Sequence, residues 1–220
     1  MKIFRYINKY VIIKSNSDYR GNIMAINNIK NGKLLYHLTR LDNLESIITN
    51  GLVSRSLVRK NSINFGNVAD PRIIVKRVKL GLDEYVPFHF HPYSAFDKVV
   101  KSTYINDEFV YITITRECAR SNKFKILPRH PLANEGYTLL EYDEGFKAID
   151  WKAMETLGNE DEHIKNVKMA ECLTNLRVPA NCFQSICVRN EEIKEQVEEM
   201  LENNGILEHP PYVNIQNWFD

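Results

Sequence analysis

Along the chain the spacing of apolar positions changes period several times, and each change predicts an element. LLYHLT, residues 34–39, is a short apolar strand pattern, and Asp42 follows with Glu45 three residues on, the spacing of a capping box at a helix start. That helix would bury Leu44, Ile47 and Ile48 on one face and stop at Asn50-Gly51, where glycine supplies a left-handed C-cap. EYVPFHFHPYSAF sets Val86, Phe88 and Phe90 at alternate positions, the period of a half-buried strand. FVYITIT, residues 109–115, and SICVR, residues 185–189, predict two more strands. Asp150 to Leu157 and Ile164 to Asn175 read as helices, the second carrying Ala170 and Leu173 on an apolar face with Glu171 among them. Glu191 to Asn203 is a strongly charged helix stopped by Gly205. Between Val53 and Asp83 the chain is polar and basic, and reads mostly as loop with helix only around Pro71 to Lys79, where Pro71 suits a first turn.

Residues 1–33 predict one strand, Tyr10 to Lys14, and then a polar stretch to Lys33, so they read as an N-terminal extension before a domain over 34–220. Strands and helices in irregular order predict an α+β fold, not a doubly wound sheet. Composition changes this picture little. The 220 residues suit one domain, and 44% hydrophobic with 26% charged residues is an ordinary globular balance. The charged N-terminus offers neither a signal-peptide apolar stretch nor a membrane span, so a cytoplasmic protein with no membrane partner is expected. Cys118, Cys172, Cys182 and Cys187 lack metal-site spacing and read as buried thiols, with no metal expected. A net charge of +1 leaves nucleic-acid binding to local clusters.

Three features carry candidate chemistry. His37 and Thr39 alternate on one strand and so share a face, from which they can hydrogen-bond a small polar ligand. Alone, a strand-end histidine is more often a satisfied structural residue. Glu171 sits among apolar neighbours, where an acid could polarise a sugar hydroxyl or take a proton, although an amphipathic helix with a solvent-facing glutamate gives the same pattern. Arg72, Lys76, Arg77 and Lys79, followed by Tyr85, Phe88, His89, Phe90, His91, Tyr93 and Phe96, combine phosphate-holding cations with rings that stack on bases. Walker, GxGxxG, HExxH and GxSxG signatures are all absent from the sequence.

In this order the segments resemble the DarT family of toxin ADP-ribosyltransferases, which modify bases in single-stranded DNA. YHLTRLDNLESIITNGL, residues 36–52, resembles the family's opening YHxTxxxNLxxILxxGL block; ADPRIIVKR resembles its basic helix, and EYVPFHFHPYSAF its VPFYFxPRSPM strand. LPRHPL is similar to the segment with the family's later histidine, FKAIDWKAM to its LDW segment, and KMAECLTNLRVP to its KRxAEFLV helix with the catalytic acid. The similarity runs from about Tyr36 to about Leu201. It implies an ADP-ribosyltransferase (PARP-like) fold with a split mixed β-core, flanking helices and NAD in the cleft. It also implies Glu171 and Arg77 as catalytic residues, His37, Thr39, Asn43 and Arg77 as NAD-binding, and His89, Tyr93, Phe96 and His130 as nucleic-acid-binding.

The family's arginine and methionine in PRSPM are Tyr93 and Phe96 here, and His89 stands where VPFYF has tyrosine, so the acceptor surface reads as more aromatic and less cationic. The reaction implied is transfer of ADP-ribose from NAD to a base of single-stranded DNA with release of nicotinamide, in a toxin-antitoxin or phage-defence pair with a neutralising antitoxin. RNA or a protein side chain as acceptor, NAD hydrolysis, and a non-catalytic binding module are the alternatives the sequence leaves open.

Overall fold

The computed structural model describes residues 28–66, 71–92, 94–130, 138–158 and 161–219. The expected strand at Tyr10 to Lys14 lies outside them. One mixed sheet organises the fold, built from β1 (Leu34–Arg40), β2 (Val86–His89), β3 (Phe109–Thr115), β4 (Lys125–Leu127), β5 (Leu140–Glu141), β6 (Glu171–Thr174), β7 (Ser185–Val188) and β8 (Tyr212–Ile215). Its order is β5-β4-β6-β2-β1-β3-β7-β8, antiparallel except for β7 with β8. The sheet is split in its middle. β1 and β3 share seven registered pairs, from Leu34↔Thr115 to Arg40↔Phe109, whereas β1 and β2 share one, Tyr36↔His89.

Helices α1 (Leu44–Asn50), α2 (Arg55–Lys60), α3 (Pro71–Lys79), α4 (Ala95–Thr103), α5 (Arg116–Ser121), α6 (Tyr142–Ala148), α7 (Trp151–Glu155), α8 (Glu162–Lys168) and α9 (Glu191–Asn203) flank this sheet. The main core takes Leu35, Val110, Ile112 and Ile114 from one face of β1 and β3 and closes over them with Leu44, Ile47 and Ile48 of α1 and Ile193, Val197 and Leu201 of α9. The opposite face buries Leu38, Phe109 and Tyr111 under Phe219 with Trp218 alongside, so β3 is covered on both sides and its first six residues are all buried. Residues just before β1 are tied to the same body: the Arg116 guanidinium donates to the carbonyls of Ile29, Lys30, Leu34 and Phe90 and lies over the rings of Phe90, Phe146 and Trp151. Cys118, Cys172 and Cys187 are buried free thiols, as expected, while Cys182 is half-buried.

Several expectations are corrected. The predicted helix from Ile164 to Asn175 is two elements: α8 ends at Lys168, and Glu171 to Thr174 form β6 between β2 and β4. All four residues of β6 are buried, so the run has no alternation to separate a strand from a buried helix. Asp42 caps no helix; it lies inside a 3-10 turn over Leu41–Asn43, and Asn43, which precedes α1, offers no side-chain cap because its amide is used elsewhere. Gly51 has φ 76° and ψ 158°, an extended mirror conformation in place of the left-handed cap. It delivers Leu52 into a backbone bridge with Val178, and a Cβ there would lie 2.8 Å from Arg177 Cγ. Arg55 to Lys60, expected as loop, is helix α2, with the Ser54 side chain accepting from the Leu57 amide. The helix expected over Asp150 to Leu157 is shorter, Trp151–Glu155, with Asp150 as its cap.

Candidate active site

Where the two halves of the sheet part, a cleft opens that is lined by His37, Thr39, Arg77, His89, Phe96, His130 and Glu171. The strand registers explain the convergence. Tyr36 pairs with His89, His89 with Glu171, and Glu171 with Leu127, so one row of residues crosses the seam from β1 through β2 and β6 to β4. Directly paired residues of antiparallel strands share a face, which sets His89 beside Glu171. His130 follows β4 by three residues and reaches the same place, its amide donating to the Asn166 carbonyl at 2.8 Å.

Glu171 is 4% exposed, and Arg77 in the last turn of α3 donates Nη1 to both of its oxygens, at 2.8 Å and 3.0 Å. The second terminal nitrogen, Arg77 Nη2, is buried with no hydrogen-bond partner. An orphaned guanidinium donor in a cleft is a ready site for phosphate or carbonyl oxygen. Arg55, at the start of α2, lines the cleft too; burial first, and then the nearby Arg77 and Arg59 cations, lower its pKa. Two arginines in one recess are a strong anion trap.

His37 spans the seam. Its Nδ1 lies 2.8 Å from the Pro87 carbonyl, which can only accept, so Nδ1 carries the proton. Burial pushes the ring's pKa down to about 4, against which the Pro87 hydrogen bond works and to which the nearby His89 adds. At neutral pH the ring is therefore uncharged, and Nε2 is an acceptor for a ligand hydroxyl or amide. Thr39, 2% exposed, stands two residues on along the same face. His130 has its pKa lowered by burial, with Glu171 opposing and Arg77 reinforcing the shift.

Not every expected residue reaches the cleft. Asn43 is buried and does not line it; its side chain donates to Thr39 Oγ1 at 3.2 Å and clasps Gly66, donating to its carbonyl at 3.1 Å and accepting from its amide at 2.7 Å. Asn43 thus fixes the chain that passes the mouth of the cleft. Tyr93 lies outside the described residues. Among the lining residues that the sequence does not single out are Arg55, one cation among several in a basic segment, and Asp97, whose Ser94-x-x-Asp97 spacing signals only the capping box that opens α4. No group of acids, histidines and cysteines among the described residues could hold a metal ion.

The split mixed sheet with its flanking helices is an ADP-ribosyltransferase fold. The family comparison makes the class specific. Residues 36–220 match the model of "ssDNA thymidine ADP-ribosyltransferase, DarT", and the chain belongs to that family. A DNA ADP-ribosyl transferase of Thermus aquaticus is 26% identical over 199 residues, covering 84% of this chain and 88% of the relative. A DNA ADP-ribosyl transferase-DNA ADP-ribosyl glycohydrolase fusion protein of Thermosipho africanus is 24% identical over 78% of this chain but 46% of its own length. The solved DarT of Thermus sp. 2.9 shares the fold, with a TM-score of 0.72 in complex with ADP-ribosylated single-stranded DNA, 20% identity, and coverage of 85% and 95% of the two chains. The same protein in complex with NAD+ superposes with a TM-score of 0.68 at 19% identity, over 85% and 96%. The chain is an NAD-dependent DNA ADP-ribosyltransferase of the DarT family.

Proposed function

We propose that this chain transfers ADP-ribose from NAD to the thymine base of single-stranded DNA, with Glu171 and Arg77 as the catalytic pair. The observation that carries the reading is the Arg77–Glu171 contact at the seam, with Arg77 Nη2 left unsatisfied. Breaking the bond between nicotinamide and ribose builds positive charge at the anomeric carbon, and a carboxylate held in place beside it stabilises that transition state without reorganising. Glu171 meets this need because Arg77 fixes its orientation and the strand row fixes its depth. Arg77 Nη2 and Arg55 take the anionic pyrophosphate, while His37 Nε2 and Thr39 accept and donate to the sugar and carboxamide. His130, Phe96 and His89 face the acceptor, and exposed Lys76 and Lys79 on α3 attract the DNA backbone.

Single-stranded DNA is favoured over RNA by the family to which the chain belongs, and the fusion of transferase with glycohydrolase in Thermosipho africanus supports an antitoxin partner that removes the modification. Such a pair would work in the cytoplasm, and no described helix is long and apolar enough to cross a membrane. The test is mass spectrometry of single-stranded DNA and RNA oligonucleotides after incubation with NAD, using wild type and Glu171→Ala side by side. An ADP-ribose adduct on thymine, lost in Glu171→Ala, is the expected result. An adduct confined to RNA would overturn the choice of acceptor, and an adduct persisting in Glu171→Ala would overturn the role of the acid.

A further inference from the structure

The acceptor must lose a ring N–H proton, and Arg77 Nη1, by donating to both oxygens of Glu171, makes that carboxylate a weaker base for it. Its neighbour across the β2–β6 ladder is His89. His89 Nδ1 lies 3.3 Å from the Ala170 carbonyl, a group that can only accept, so in the neutral ring the proton sits on Nδ1 and Nε2 holds a free lone pair. The titratable groups that face His89 are His37 on β1, His91 beyond β2, Asp97 on α4, His130 beyond β4 and Glu171 on β6, with Arg77 behind Glu171.

Asp97 is a further acid of the cleft, which His89 lines with it. It is 1% exposed, its Oδ2 accepts from the Ser94 amide at 3.2 Å, and its Oδ1 is buried with no hydrogen-bond partner. Helix capping uses only Oδ2, and a capping acid is ordinarily solvated, so the cap alone explains neither the depth nor the idle oxygen. Burial raises the Asp97 pKa, and the neighbouring His89 ring is the group that most opposes that shift. An imidazolium at His89 and a carboxylate at Asp97 therefore stabilise one another.

Resting on the reaction proposed above, we propose that His89 takes the N3 proton of the acceptor base, that Asp97 is the positioning residue that stabilises the resulting imidazolium, and that Glu171 is left to the sugar. In the step, the bond from the anomeric carbon to nicotinamide breaks and its electron pair leaves on nicotinamide. The bond from N3 to the anomeric carbon forms, and the N3 proton passes to His89 Nε2 and on to solvent.

The experiment is the pH dependence of transfer to a thymine oligonucleotide for wild type, His89→Gln and Asp97→Asn. Wild-type transfer should rise with pH and level off once the imidazole is neutral. His89→Gln should lose about 10²-fold at pH 7, the scale of a general base, and then recover about tenfold per pH unit without levelling, because only base that has already ionised reacts. Asp97→Asn keeps an oxygen for the Ser94 amide and should fall by about tenfold to 10²-fold, with a profile that levels off at lower pH than wild type because His89 remains as the base without its carboxylate. An oligonucleotide carrying 5-fluorouracil, whose N3–H is more acidic, should restore both variants more than it accelerates wild type, and it tests the idea with whichever variant folds. Variants that follow the wild-type profile at reduced amplitude, with no preference for 5-fluorouracil, overturn the pair. Wild type that modifies no oligonucleotide at any pH overturns the reaction on which the pair rests.

Discussion

The two halves of the sheet differ in what their strands are for. In the half made of β1, β3, β7 and β8, β1 and β3 run seven residues each in full register and are packed on both faces. In the half made of β2, β6, β4 and β5, strands of four, four, three and two residues carry the acid and its neighbours. The only registered pair joining β1 to β2 is Tyr36↔His89. A continuous ladder satisfies its own backbone and leaves no room for a ligand, whereas a seam exposes polar side chains and a carbonyl that His37 must bridge. Stability is thus concentrated in one half while the chemistry gathers at the seam, which His37 and Thr39 of β1 reach from the stable side, and that division can be broken from either side.

The largest expected effect tests the stable half. Ile114 is fully buried on β3 opposite Leu35, on the core face and away from the cleft lining. Ile114→Ala should cost about 2–5 kcal/mol in unfolding free energy, from lost transfer and the cavity left behind. Chemical denaturation measures this, and transfer activity at 25 °C per folded molecule should stay within a few-fold of wild type. A variant that unfolds no more easily but loses activity would show that the halves are not divided as described.

The seam should be the acid-sensitive part. His37 has its pKa pushed down to about 4 and His91, buried beneath the Lys168 carbonyl, to about 3, burial being the main cause in both. The unfolded chain binds protons at these rings below about pH 6.5 while the folded chain does not, so stability falls as pH drops through that window toward 4. Between pH 7 and pH 5 each ring should contribute a loss of about 2 kcal/mol. Urea titrations of wild type and His37→Gln at both pH values check it: the variant should lose less on acidification, and an equal loss would move the acid sensitivity elsewhere.

Legibility in the sequence followed the same division. FVYITIT and the helix from Glu191 to Asn203 have the bounds their patterns predicted, because a long apolar or amphipathic run states its period many times over. The sequence of β6 predicts helix because four buried residues after α8 carry no period, and only pairing with Phe88, His89 and Leu127 makes them a strand. The site residues Glu171, Arg77, His37 and Thr39 were legible through family resemblance, yet their contacts were not: an ion pair between residues 77 and 171 has no local signature. Asp97 was invisible as a site residue because a capping box looks the same in sequence whether its second oxygen faces water or a cleft.

The smallest effect concerns Asn43, which the resemblance assigned to the dinucleotide and the structure sets behind the wall of the cleft. Its amide makes one hydrogen bond to Thr39 on β1 and two to Gly66 in the chain after α2. Asn43→Ala leaves the Gly66 amide and carbonyl to find water, and should cost about 1–3 kcal/mol, less if water enters. If Asn43 acts only by fixing these neighbours, the variant should raise KM for NAD while leaving kcat within a few-fold, because the loss falls on ground-state and transition-state binding alike. Asn43→Asp keeps the acceptor for the Gly66 amide but gives up the donors to the Gly66 carbonyl and Thr39, so it should fall between the two in KM. A collapse in kcat with KM unchanged would instead place Asn43 against the reacting sugar, as part of the chemistry at the seam and not as a support behind it.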